Sequence, residues 1–223
     1  METQKFRLID ILYGVIIPLV LVLLIFVLAV YVNPGGSYHV LGLTGLSGTI
    51  GVIFTQGFAQ MIVLGVPLVL GLLWNKWAGG AAGFIMGGLY YVASAGLYNG
   101  YYAGSNPPYN FFGDMSMLGY LVNAIVIGYM AGALNGGSSN FKRMLGAGMT
   151  AAVITATIQA YLNYTVSLSP AQTMNHGLWA NTSLGFAGVY GFVLQFIPSI
   201  ALGVIVPILA KVMTWYGIQP MKH

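Results

Sequence analysis

The residues able to do chemistry in this chain are mostly amides and hydroxyls rather than charges. Gln60, Tyr91, Asn123, Gln159 and Gln195 each stand inside a long apolar stretch, with Gln56, Ser94 and Asn163 nearer the ends of those stretches. Polar side chains within apolar segments are costly unless partnered, and in membrane proteins they mark candidate functional positions. Counted inward at about 1.5 Å per residue, Gln60, Tyr91, Asn123, Gln159 and Gln195 lie roughly 10–14 Å below one surface. Side chains at a shared depth on successive helices would form a hydrogen-bonding layer under an outward-facing cavity. The same side chains could instead only tie helices together, a use worth about 0.6 kcal/mol per bond.

Charged chemistry is sparse. The chain carries three Asp or Glu, seven Lys or Arg, three His and no Cys. Asp114 is expected to open a helix at the outer surface, where a carboxylate meets unpaired N–H groups and the positive end of the helix dipole. It could also receive a cationic ligand group. Asp10 is expected to pair with Arg7 or Lys5. His39 and His176 stand in separate outer loops without carboxylate neighbours, so no metal site is expected. Tyr98, Tyr101, Tyr102, Tyr109, Phe111, Phe112 and Trp179 read as an interfacial aromatic belt, or as a stacking wall for a flat ligand. No glycine-rich phosphate loop with its lysine, no HExxH, no GxSxG, no membrane carboxylate pair and no intramembrane histidine pair occurs. No catalytic residue and no cofactor follow from these patterns, and the expected ligand set is Gln60, Tyr91, Asn123, Gln159, Gln195, Asp114 and Trp179.

The elements that must hold these residues are membrane spans. With 58% hydrophobic and 4% charged residues, and a mean hydropathy of +0.84, the chain cannot build a water-exposed surface, for which about 25% charged residues is usual. A transmembrane helix needs about 20 mostly apolar residues. Six stretches qualify: Ile9 to Val32, Ile50 to Trp74, Ala78 to Gly100, Met115 to Leu134, Met144 to Val166 and Phe186 to Met213. The first is too long for a signal-peptide core and is expected to be retained. Pro18, Pro67, Pro198 and Pro207 fall inside spans, where kinks rather than breaks are expected.

Lys5, Arg7, Lys76, Lys142, Arg143, Lys211 and Lys222 all fall on one side of that arrangement, and the three connections on the other side, 33–49, 101–114 and 167–185, contain no Lys or Arg. Cytoplasmic loops hold the excess of basic residues. The expected fold is therefore an all-α integral membrane protein of the cell membrane: a single domain over residues 1–223, six transmembrane helices, both termini cytoplasmic and three long outer loops. The scattered positive charge orients the chain and is no nucleic-acid signal. Asn163 and Asn181 match the N-glycosylation pattern and fall at or beyond the outer face.

The centre of the bundle is expected between Trp74 and Gly136. Gly79, Gly83 and Gly87 recur every fourth residue in one span, and Ala124, Gly128, Gly132 and Gly136 do so in the next. Such stripes let backbones approach closely where lipid leaves no hydrophobic drive between helices.

The stretch VPLVLGLLWNKWAGGAAGFIMGGLYYVASAG, a proline-containing apolar run, a short basic turn and a glycine-rich helix, resembles the second and third helices of the substrate-binding S components of energy-coupling factor vitamin transporters, the thiamin type in particular. LGYLVNAIVIGYMAGAL resembles their fourth. The likeness is one of layout and covers residues 50 to 210. It implies a subunit that captures a vitamin-like small molecule outside and depends on a partner ATPase module inside. Helix one departs from the family, being bulky and aliphatic where an Ala-xxx-Ala motif is expected, and the family's pocket residues find no one-to-one match. The competing reading is a non-catalytic accessory subunit of a larger membrane assembly of respiratory or oxidase type. Either reading makes membrane lipid and other membrane subunits the expected partners.

Overall fold

Apolar runs with small residues at every fourth position form helices with flat faces, and flat faces pack at short range. The computed structural model describes residues 12–21, 23–24, 59–101, 110–113, 115–165 and 189–216, and every described element is helical. A π-helical turn, Leu12–Ile16, lies in the first expected span. The long helices are α1 (Ala59–Leu73), α2 (Lys76–Tyr101), α3 (Gly119–Asn135), α4 (Phe141–Thr165) and α5 (Val189–Trp215). Two 3₁₀ turns, Phe111–Gly113 and Met115–Leu118, lead into α3. Phe141–Leu162 and Phe196–Trp215 are long and apolar enough to cross a membrane by length and composition, and Met61–Leu73 and Gly119–Asn135 are shorter apolar helices. Both α1 and α5 run on through their internal prolines, Pro67 in the one and Pro198 and Pro207 in the other.

Helix α3 packs against α1, α2 and α4, while α5 closes on α4 and α1 and the N-terminal turn lies on α2. The contact among α1, α2 and α3 is made by backbone. A methyl group built on Gly79 would lie 2.7 Å from the Gly128 carbonyl carbon and 2.8 Å from the Gly71 Cα. One built on Gly83 would lie 2.7 Å from the Ile125 Cα, and one on Gly87 would lie 2.8 Å from the Ala124 Cβ. The stripe on α2 therefore meets the stripe on α3 as the spacing requires, and Gly71 of α1 joins them. Between α4 and α5, Gly148 faces Pro207 and Gly203 faces Ala152 in the same manner. Around these contacts lies a core of Leu68, Leu72, Ile127, Met144, Leu202 and Val206, filled out by alanines such as Ala131, Ala151 and Ala210.

The short connections are fixed by amides. Asn75 caps α2, its Oδ1 accepting the Ala78 N–H at 2.8 Å, and Asn140 caps α4, its Oδ1 accepting the Lys142 N–H at 3.0 Å. Each satisfies a donor that the first turn of a helix leaves open. Gly136 lies outside the packing stripe expected of it. It terminates α3 in the left-handed region at φ 57, its N–H donating to the Gly132 carbonyl at 2.9 Å, and Gly137 follows at φ 68. That conformation carries little penalty for glycine alone. Beside it Asn135 is 0% exposed, and its Nδ2 donates to the carbonyls of Leu72 at 2.7 Å and Ser138 at 3.0 Å. This side chain joins the C-terminal ends of α1 and α3.

The start of α3 also differs from expectation. The α-helix begins at Gly119 rather than Met115, and its N-cap position is Leu118, with no side-chain cap bond. Residues 115–118 wind as a 3₁₀ turn, so the N-cap position of the α-helix lies four residues after 114. Asp114 itself is outside the described residues. In the preceding turn an amide makes the local bond instead, Asn110 Oδ1 accepting the Gly113 N–H at 3.3 Å.

Because the Gly79 contact is with backbone, Gly79→Ala must push two helices apart. Overpacking of this kind costs about 1–3 kcal/mol. A methyl on Gly146 meets nothing within 4 Å, so Gly146→Ala should be neutral or stabilise α4 by up to about 1 kcal/mol. Thermal unfolding of both variants in detergent, against the parent chain, checks the contrast.

Candidate functional site

Helices α3 and α4 are joined by the tight turn 136–140 and run antiparallel, which brings two of the expected site residues together. Asn123 of α3 is 5% exposed, and its Nδ2 donates to Oε1 of Gln159 on α4 at 2.7 Å. Space for the Gln159 amide is left by Gly119, one turn before Asn123. A methyl there would lie 3.0 Å from the Gln159 Cδ and 3.1 Å from its Nε2. The pairing is geometric: residues four apart share a helix face, so the missing side chain at 119 leaves room beside that at 123.

The bond uses a donor of Asn123 and leaves its acceptor unused. Asn123 Oδ1 is buried and has no hydrogen-bond partner. An amide oxygen so placed costs about 1–3 kcal/mol relative to a satisfied one, and unsatisfied buried polar groups are rare in native structures. The Asn123 carboxamide therefore holds one unused acceptor.

Aromatic rings stand on the neighbouring face of α3 and on α2. Tyr90 meets Tyr120 edge to face, with ring centroids 5.2 Å apart, and Tyr91 meets Phe112 at 5.9 Å. Tyr91 and Tyr120 also pack on buried Ala95 and Met117. Ser94 is buried on α2. Tyr91 thus belongs to a ring cluster with Phe112.

Gln60 lies in α1, Gln195 in α5 and Asn163 in α4, but their side chains are outside the described residues. Trp179, Asn181, Gln56, Asp10, His39 and His176 are also outside them. No group of three or more metal-ligating side chains occurs among the described residues. Sequence reasoning missed Gly119, whose role shows only when α3 and α4 are aligned, and Asn135, which reads as punctuation before Gly136-Gly137. Thr155 is a further buried polar residue that needs no partner helix, since its hydroxyl donates within α4 to the Ala152 carbonyl at 2.9 Å. The exposed Thr157 does likewise to Val153 at 2.8 Å.

The opposite end of the bundle is basic. Lys76 stands at the start of α2, Lys142 and Arg143 in the first turn of α4, and Lys211 near the end of α5. Asn135 ties the ends of α1 and α3, and Lys211 Nζ donates to the Ser139 carbonyl at 3.0 Å, so these positions share one end. Asn123 lies twelve residues before Asn135 in α3, about 18 Å along the axis at about 1.5 Å per residue.

A double-mutant cycle with Asn123→Ala and Gln159→Ala isolates the pair. A bond that only ties helices gives a coupling energy of about 0.6 kcal/mol. Unfolding free energies of the parent, both single variants and the double variant supply that value, and a coupling near zero would mean the two amides do not meet.

No protein-family model, no curated protein and no solved structure matches this chain.

Proposed function

We propose that this chain is a membrane-embedded substrate-capture subunit with six transmembrane helices and both termini cytoplasmic. In this reading a vitamin-like small molecule enters from outside and is held in the outer half of the bundle, and a partner ATPase module supplies the energy for uptake. The observation that carries the reading is the buried, unpartnered Oδ1 of Asn123 beside the Gln159 amide. A ligand N–H or O–H would complete that acceptor, and the Tyr91–Phe112 and Tyr90–Tyr120 rings on the adjacent faces suit a flat apolar body. No residue of α3 itself is charged. Pockets of this kind combine apolar walls with a few placed polar groups.

The accessory-subunit reading has one specific observation in its favour. Asn123 and Gln159 already bond to each other, so the pair can serve as a tie between α3 and α4 with no ligand at all.

Native mass spectrometry of the purified chain separates the two. The capture reading expects a bound small molecule of non-lipid mass on the parent protein. Loss of one buried hydrogen bond of about 1.4 kcal/mol weakens binding about tenfold, so Asn123→Ala should retain far less of it. A parent chain that carries no such mass, yet holds stoichiometric partner subunits, would leave the accessory role.

Orientation is tested separately. The chain has no cysteine, so a single Ser139→Cys variant reports on the 136–140 turn alone. In intact cells a membrane-impermeant maleimide should leave it unlabelled, and permeabilisation should expose it. Labelling in intact cells would invert the topology.

A further inference from the structure

Every cation among the described residues lies at the end of the bundle away from Asn123. Lys211 Nζ donates to the Ser139 carbonyl at 3.0 Å, and Arg143 Nε donates to the Leu134 carbonyl at 3.2 Å. Lys76 Nζ stands 5.6 Å from the Trp77 ring centroid and 5.8 Å from that of Tyr129. These contacts hold the side chains in place but neutralise no charge. An ammonium has three donors and a guanidinium five, so donors remain on each group.

The placement of Lys142 and Arg143 is itself unfavourable for the isolated bundle. They occupy the first turn of α4, where the helix dipole is positive and repels cations. An anion bound there reverses the sign of that interaction. At the same end, large amphipathic rings face outward: Trp77 is 69% exposed, Trp215 74% and Tyr216 79%. Trp and Tyr sit at the headgroup level of a bilayer, and exposed apolar side chains such as Phe84 on α2 and Ile205 and Leu209 on α5 continue away from these rings along their helices.

From this juxtaposition of four cations, a helix N-terminus and an aromatic rim we infer that the basic end binds the phosphodiester headgroups of anionic phospholipids. The acyl chains lie along the exposed faces of α2 and α5. A free phosphate would use the cations alone and leave the rings and apolar faces without a role. The inference rests on the membrane placement proposed above and is independent of the outer ligand site.

The test uses the full chain in nanodiscs of phosphatidylcholine with a minority of phosphatidylglycerol, released into native mass spectrometry. Among the lipids retained, phosphatidylglycerol should be enriched over its bulk fraction. Each cation removed should reduce that preference about fivefold, as expected for about 1 kcal/mol per basic residue at an anionic surface. The combined variant Lys76→Gln, Lys142→Gln, Arg143→Gln, Lys211→Gln should retain the two lipids in their bulk ratio, and an unchanged preference would overturn the inference. Should that variant fail to fold, a salt series on the parent decides, since screening tightens to about 3 Å at about 1 M salt. Enrichment that persists there is not electrostatic and sinks the idea. Inorganic phosphate forms a further arm: if it displaces phosphatidylglycerol at equal concentration, the site is one for free anions and the lipid assignment fails. The outer small-molecule mass is read in the same spectra, so its absence with lipid preference intact would count against the capture reading alone.

Discussion

Direct contact between helix backbones is the constraint on which this structure depends. Where Gly71, Gly79 and Gly128 meet, no side chain separates α1, α2 and α3, and even one methyl at Gly79 would come within 2.8 Å of a neighbouring Cα. At such distances many weak dispersion contacts add up, so close backbone approach can hold helices together through packing alone. The bulky residues are displaced to either side. Leu68, Leu72 and Ile127 fill the space toward α4 and α5, while Val63 and Met86 fill it toward the N-terminal segment. With its central helices in contact, the bundle can hold an amide cluster toward one end and its cations at the other without either disturbing the middle.

The two buried asparagines follow a common logic. Asn123 and Asn135 both use their NH₂ groups and leave their oxygens without partners. For Asn135 the reason is local, because the last carbonyls of a helix lack intrahelical donors. The Leu72 carbonyl near the end of α1 is one such acceptor, and an amide NH₂ answers it. Asn123 is different, since it lies in the second turn of α3, beyond the open N–H groups of the helix start, and its donor goes to another side chain. One residue is structural by necessity. Both spare acceptors are buried, but that of Asn123 stands beside the amide of a second helix, Gln159, and so carries the functional reading.

Much of the helical layout was legible in the sequence. Five of the expected spans coincide with α1 to α5 within a few residues wherever the structure describes them, because twenty-odd apolar residues leave the backbone few alternatives to a helix. The glycine spacing on α2 and α3 was enough to predict that those faces meet. Its third partner, Gly71, could not be seen, since one glycine in α1 has no period to betray it. The α-helical part of α3 starts at Gly119 rather than Met115 because residues 115–118 wind as a 3₁₀ turn, and nothing in MSML distinguishes a 3₁₀ from an α turn. For the candidate site, residue counting placed Asn123 and Gln159 at a common depth, but only tertiary alignment shows that they bond and that Gly119 makes room. Asn135 was hidden in plain punctuation before two glycines.

The turn at residues 136–140 acts as a ruler for the far half of the molecule. Its left-handed glycines, the Asn135 clamp and the Asn140 cap fix where α4 starts relative to where α3 stops. Both helices then run as rods from this turn toward the amide pair about 18 Å away. A single residue inserted into α4 between Asn140 and Gln159 would shift Gln159 by about 1.5 Å and turn it by about 100°, swinging it off the face that Gly119 keeps clear. The register of the Asn123–Gln159 pair is thus counted from the opposite end of the bundle.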